Sequence, residues 1–134
     1  DFNKKDFFDM IVIDAPCSAL GTIRRHPEIF FRKEPNFKSL LKTQYLLLEK
    51  AASSIKKNGF IIYMVCSFLK IETLDQVDKF LKNNDGFKIE KFDYEKNPLF
   101  KKYINKGFFL TLPNKIIKDI QIDGYFAIKI FKND

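Results

Sequence analysis

The 134-residue chain has five glycines, Gly21, Gly59, Gly86, Gly107 and Gly124. No two are close enough to form a Gly-rich loop for a phosphate or nucleotide. Its two cysteines, Cys17 and Cys66, and its single histidine, His26, are too widely spread for a zinc pattern. No metal is therefore expected. There is no Cys-x-x-Cys pair, which weakens a dithiol oxidoreductase, and no serine sits in a nucleophile elbow. No apolar run approaches the roughly 20 residues that span a bilayer, so no membrane partner is expected. The start, Asp1-Phe2-Asn3-Lys4-Lys5, lacks the hydrophobic region of a signal peptide. It also lacks Met and leads almost directly into a strand, as a piece of a longer protein would. Two cysteines without a signal suggest free thiols in a reducing cytoplasm.

What is present suits one compact domain. Apolar residues make up 46% of the chain, enough for a core. Lys and Arg number 24 against 17 Asp and Glu, a net charge of +7. That balance favours polyanions, above all nucleic acid; the competing reading is a lysine-rich solubilising surface.

Residues 9–14 and 60–66 read as buried parallel strands. Between them, from Asn36 to Lys57, Phe37, Leu40, Leu41, Leu48, Ala51, Ala52 and Ile55 recur at helical spacing. Asn58-Gly59 reads as the helix stop, with Lys56 and Lys57 set against the dipole. Thr73-Leu74-Asp75-Gln76 has the form of a capping box and opens a helix to about Asn83, with Leu74, Val77, Phe80 and Leu81 inward. Phe87 to Tyr94 alternates as a strand. Residues 95–122 read as irregular and 125–131 as a last strand; with 87–94 it makes a near-hairpin with a long connection, which suits an antiparallel edge. The order describes half of an α/β three-layer sandwich with a right-handed, parallel first unit.

The two thiols then follow the ends of neighbouring strands. They should emerge at one carboxyl edge, the edge on which open α/β sheets place their chemistry, within roughly 10 Å. Asp14-Ala15-Pro16-Cys17-Ser18 puts a carboxylate, a rigid proline and a thiol at one strand end. Such a turn can aim Cys17 and the Pro16 carbonyl at a ligand, or be a strand-end turn with a buried cysteine. Cys66 by itself reads as packing; as one of a pair it reads as a soft nucleophile with an assistant. Arg24-Arg25-His26-Pro27 lies in the loop beside the same edge. Two arginines there suit phosphate, or form an exposed charged loop.

Phe8-Asp9 with Ile13-Asp14-Ala15-Pro16-Cys17-Ser18 resembles the fourth motif of the Nop/Sun family of RNA cytosine-C5 methyltransferases. Ala19 to Ile29 is similar to the bacterial branch that methylates small-subunit rRNA. Tyr63 and Cys66-Ser67 resemble the sixth motif. Gln44, Leu47, Leu48 and Ala51 fit the intervening helix, and Asp123-Gly124-Tyr125-Phe126-Ala127 the closing strand. The chain departs from the family at Val65, usually Thr, at Lys70, commonly Pro, and at Thr73, usually Asn.

The resemblance implies a Rossmann-like methyltransferase three-layer sandwich, of which residues 1–134 form the C-terminal half, a partial S-adenosylmethionine-dependent catalytic domain. The family's Gly-rich cofactor loop has no counterpart here. It implies Cys66 as nucleophile at cytosine C6, Cys17 as the residue that helps release the enzyme, and Asp14 beside S-adenosylmethionine. Pro16, Arg24 and Arg25 would contact RNA, most plainly small-subunit rRNA, in the cytoplasm. The runner-up is a non-catalytic RNA-binding remnant of such an enzyme.

Overall fold

The computed structural model describes residues 4–92, 98–113, 116–117 and 120–133. Strand β1 (Phe8–Asp14) leads through short 3-10 turns at Leu20–Thr22 and Pro27–Phe31 to helix α1 (Phe37–Ser54). Strand β2 (Ile55–Val65) follows, then helix α2 (Leu74–Asn83) and strand β3 (Phe87–Glu90). Short strands β4 (Ile104–Asn105), β5 (Phe108–Thr111), β6 (Ile116–Ile117) and β7 (Ile120–Gln121) precede the last strand, β8 (Tyr125–Lys132).

β1 pairs with β2 in parallel, as the sequence predicts. β2 pairs antiparallel with β8, and β8 carries two strands on its other edge. β5 lies along Tyr125–Ile128 and β3 along Lys129–Lys132. β4 continues outward from β5, while β6 and β7 form a separate small hairpin. The antiparallel edge strand expected after α2 is therefore β3. It stops at Glu90 rather than Tyr94, which lies outside the described residues.

Both helices pack on one face of the sheet. Ile11, Ile13, Ile61, Tyr63, Phe126 and Ile128 meet Leu48, Ala51, Val77 and Phe80 in one core. Fully burying a side chain the size of Phe80 contributes about 2 kcal/mol. Among the described residues no α-helix covers the opposite face: the 3-10 turn Pro98–Tyr103 covers it only at β5, where Phe100 and Tyr103 meet Phe109, and Met10 and Val12 are 51% and 50% exposed. The chain thus supplies two of the three expected layers.

Several boundaries differ from the sequence reading. α1 ends at Ser54, because Ile55 already takes an extended conformation and pairs with Phe8. Asn58-Gly59 lies inside β2: the register jumps from Phe8↔Ile55 to Met10↔Phe60, and Asn58 takes φ 59° at the resulting bulge. Lys56 pairs with Asp9. The cation at the end of α1 is instead Lys132, whose Nζ donates to the carbonyls of Ala52 and Ile55. Helix α1 begins as expected, with the Asn36 side chain accepting from Ser39 N–H at 3.1 Å.

The capping box at α2 does not form. Thr73 Oγ1 donates back to the Leu69 carbonyl at 3.0 Å, across the 3-10 turn Lys70–Glu72, and Gln76 reaches Leu41 O instead. Residues 95–122 are not simply irregular, since β5 joins the main sheet. That strand is the Phe-rich run Phe108-Phe109-Leu110-Thr111, and Phe108 packs against Phe126 with ring centroids 5.5 Å apart.

Candidate active site

The parallel pair β1–β2 delivers both thiols to one edge. Their ladder runs to Asp14↔Met64 and is continued by Ala15 N–H donating to Met64 O at 3.0 Å. Beyond it the two chains turn off side by side. Cys17 Sγ and Cys66 Sγ lie 3.4 Å apart, both half-buried, and both are free thiols. Among the described residues no cluster of His, Cys, Asp or Glu could hold a metal ion.

Beneath the pair sits Glu72, fully buried. Its Oε1 accepts from Ser18 N–H at 2.8 Å and from Gln44 Nε2 at 3.3 Å. Its Oε2 accepts from Ser18 Oγ and from Ser67 Oγ, each at 2.6 Å. Its backbone carbonyl accepts from Tyr63 OH at 2.8 Å. Gln44 Nε2 also donates to Pro16 O at 2.9 Å, while Gln44 Oε1 is buried without a partner among the described residues. The Pro16 carbonyl is thereby engaged inside the protein, rather than aimed outward as the sequence suggested.

The thiols differ electrostatically. Burial pushes Cys17 up to about 12, with the neighbouring Cys66 and Glu72 adding to the shift. A thiolate at Cys17 would lose water and face negative charge. Cys17 therefore keeps its proton at neutral pH and can donate it toward the Cys66 sulfur. Tyr63 is likewise pushed up, chiefly by burial. Asp14 stands exposed at the same edge; burial raises Tyr125, and the Asp14 charge adds to it.

Arg24 and Arg25 are brought to this edge and are already engaged. Arg25 Nε donates to Asp123 Oδ2 at 2.7 Å, and Arg24 reaches Asp123 Oδ1 at 3.4 Å. The arginines hold the Asp123 carboxyl below its usual range. His26, which the sequence left without a role, faces solvent against Glu28. The loop that carries these residues is pinned by backbone. Gly21 N–H donates to Cys66 O at 2.9 Å, and Gly124 N–H donates to Gly21 O at 2.7 Å. A cleft of about 430 Å³ opens beside Cys17, walled by Leu20, Ile29, Arg32, Asn36 and Leu40.

Sequence reasoning gave no role to Glu72, Ser18, Ser67 or Asp123. One signal was available. Gln44 falls on the apolar stripe of α1, between Leu40 and Leu48, and a polar side chain there needs a buried partner. Glu72 has no comparable local signal, because its partners come from distant segments.

Comparison with known proteins gives a consistent result. The profile of the family described as 16S rRNA methyltransferase RsmB/F matches residues 1–131. Ribosomal RNA small subunit methyltransferase B of Proteus mirabilis is 37% identical over 109 residues, covering 81% of this chain and 25% of that protein. The corresponding protein of Pasteurella multocida is 40% identical over 88 residues, covering 65% of this chain and 20% of that one. Among solved structures, a methyltransferase homologue from Pyrococcus horikoshii superposes with a TM-score of 0.68 at 26% identity, covering 94% of this chain and 39% of that one. The chain thus spans a fifth to a quarter of the length of these curated relatives.

Proposed function

Because the chain belongs to the RsmB/F family of 16S rRNA methyltransferases, we propose that it forms part of a catalytic domain that methylates C5 of cytosine in small-subunit rRNA. The observation that carries this reading is the pair of thiols 3.4 Å apart at one sheet edge, one of them held protonated.

C5 of cytosine is a poor nucleophile until a thiolate adds at C6. Cys66 makes that bond, and C5 gains the electron pair. S-adenosylmethionine, when bound, supplies the methyl group. Loss of the C5 proton to water then restores the C5–C6 double bond and expels the Cys66 sulfur as a thiolate. Cys17 faces that sulfur with its proton in place, so it stabilises the departing thiolate by a hydrogen bond. The target base must be unstacked to reach this edge. The exposed Pro16 and the arginine pair Arg24 and Arg25 flank the approach and suit the RNA backbone.

The residues present fit only part of the cofactor. Asp14 offers an exposed carboxylate above a cleft of about 270 Å³ shared with Ile11, Ile13 and Leu47. No Gly-rich turn accompanies it. Residues 1–134 are therefore proposed as a partial domain, acting in the cytoplasm on RNA. No helix among the described residues is long and apolar enough to cross a membrane.

The test uses the protein at its natural full length, a substrate rRNA carrying a mechanism-based cytosine analogue, and denaturing gels. Cys66→Ala is expected to abolish the covalent adduct, and Cys17→Ala to accumulate one on unmodified RNA. An adduct with Cys66→Ala and none with Cys17→Ala reverses the assignment. No adduct in any variant favours the non-catalytic RNA-binding reading.

A further inference from the structure

We infer that Glu72 is a positioning residue whose single carboxylate grips the residue after each cysteine and thereby fixes the spacing of the two thiols; the catalytic value of that spacing rests on the proposed reaction.

Ser18 directly follows Cys17 and Ser67 directly follows Cys66, yet the two serines belong to segments that leave different strands. Past the last ladder bonds the two segments meet directly at the sulfurs and at the serine hydroxyls, 3.4 Å apart in each pair, and Glu72 holds both serines from below. Oε2 takes both hydroxyls at 2.6 Å, and Oε1 takes the Ser18 backbone N–H at 2.8 Å. Such contacts to a carboxylate are short and about twice as strong as neutral hydrogen bonds.

The grip has a rigid base. Glu72 N–H donates to Leu69 O at 3.0 Å, and Tyr63 OH holds its carbonyl. Gln44 ties the same carboxylate to Pro16, on the near side of Cys17. Both sides of Cys17 are therefore fixed relative to Ser67.

Packing alone does not account for this choice of residue. A buried carboxylate loses its hydration, and all of its described partners are uncharged donors. An apolar side chain would fill the same space without that cost. It would leave Ser18 N–H without this acceptor, and the two hydroxyls with only each other, 3.4 Å apart, and the N–H groups of Leu20 and Leu69. The carboxylate makes physical sense where the relative placement of the two segments matters.

The test reads thiol spacing directly, without methyl transfer. Dibromobimane becomes fluorescent only when its two arms are captured by two neighbouring thiols. The purified 134-residue chain is treated with it, and the rate of bridging is compared across variants matched for folded fraction. Glu72→Met keeps the bulk and removes the acceptors; bridging is expected to fall about tenfold, the effect of losing a hydrogen bond to a charged group. Glu72→Gln keeps an acceptor for Ser18 N–H and donates to the two hydroxyls, so bridging should stay within about threefold. Ile130→Val trims a buried core side chain opposite Ile61, away from the thiol edge, so its bridging should match the parent even if its melting temperature falls. If Glu72→Met bridges at the parental rate, the inference is wrong. If Ile130→Val and Glu72→Met lose bridging in proportion to their melting shifts, Glu72 is merely structural. Failure of the parent to form an RNA adduct would remove the reaction while leaving the spacing result intact.

Discussion

Cys17 and Cys66 lie 49 residues apart in the chain and 3.4 Å apart at sulfur. The pairing is produced by backbone. Parallel β1 and β2 end level with each other, and each chain runs a short way past its last ladder residue before the thiol. The two sulfurs are unequal partners, since burial holds one of them protonated well into the alkaline range.

That inequality is measurable. In a Cys66→Ser variant burial, the main cause, remains, so iodoacetamide labelling of Cys17 should keep accelerating well above the ordinary thiol range. Peptide mapping at each pH reads the rate. A plateau near the ordinary thiol value of 9.0 would show that Cys17 is not desolvated.

The same groups set an alkaline limit on stability. Cys17 and Tyr63 both have raised values in the folded chain, so above about pH 9 the folded state binds more protons than the unfolded one. Stability is then fully present below pH 9 and is lost as pH climbs toward 12. Urea midpoints measured across this range should decline, and Cys17→Ala should flatten the early part of the decline. A profile unchanged by Cys17→Ala removes Cys17 as a cause.

The proposed contact of Arg24 and Arg25 with RNA sets Asp123, which holds both, in competition with it. Asp123→Asn is expected to tighten binding of a labelled single-stranded rRNA fragment and to steepen its salt dependence, by about 0.7 in log–log slope per phosphate newly neutralised. Fluorescence anisotropy over a salt series gives both values. The ion pairs are exposed enough that stability should change by less than about 1 kcal/mol. Weaker RNA binding at unchanged stability would mean that Asp123 places the arginines rather than masks them.

The three segments that meet at Gly21 leave no room for a side chain. A Cβ there would lie 1.8 Å from Gly124 O and 2.9 Å from Cys66 O, both backbone atoms. Gly21→Ala is expected to cost about 3 kcal/mol in chemical denaturation. Gly86→Ala, where an added Cβ meets nothing within 4 Å, should change stability by less than about 0.5 kcal/mol. Equal effects at the two positions would contradict the packing described.

The absent Gly-rich turn gives a simple expectation for the 134-residue chain by itself. Calorimetry with S-adenosylmethionine should show no binding in the micromolar range. Micromolar affinity would mean that Asp14 and its surroundings make a larger cofactor site than the one described.

The parallel pair and its thiols were legible because apolar runs, β-branched residues and a long amphipathic segment all point the same way. The helix stop was misplaced because Asn58-Gly59 carries the same local signal at a strand bulge as at a helix end. Only the pairing of Ile55 with Phe8 distinguishes them. β5 was missed because its partner, β8, lies beyond an intervening stretch with no alternation. Glu72 drew no attention as a functional residue. Its role is defined by Ser18, Ser67 and Gln44, which nothing local in the sequence brings together.

The bond from Gly124 to Gly21 gives this site an order of assembly. Gly124 introduces β8, the strand that also closes the free edge of β2. During synthesis on the ribosome, both cysteines emerge long before it. Until β8 arrives, the loop after Cys17 lacks one of its two backbone anchors, and β2 has an open edge. A nascent chain therefore carries both thiols early but cannot set them in place. The pair takes its place only after the closing strand has been made and has docked.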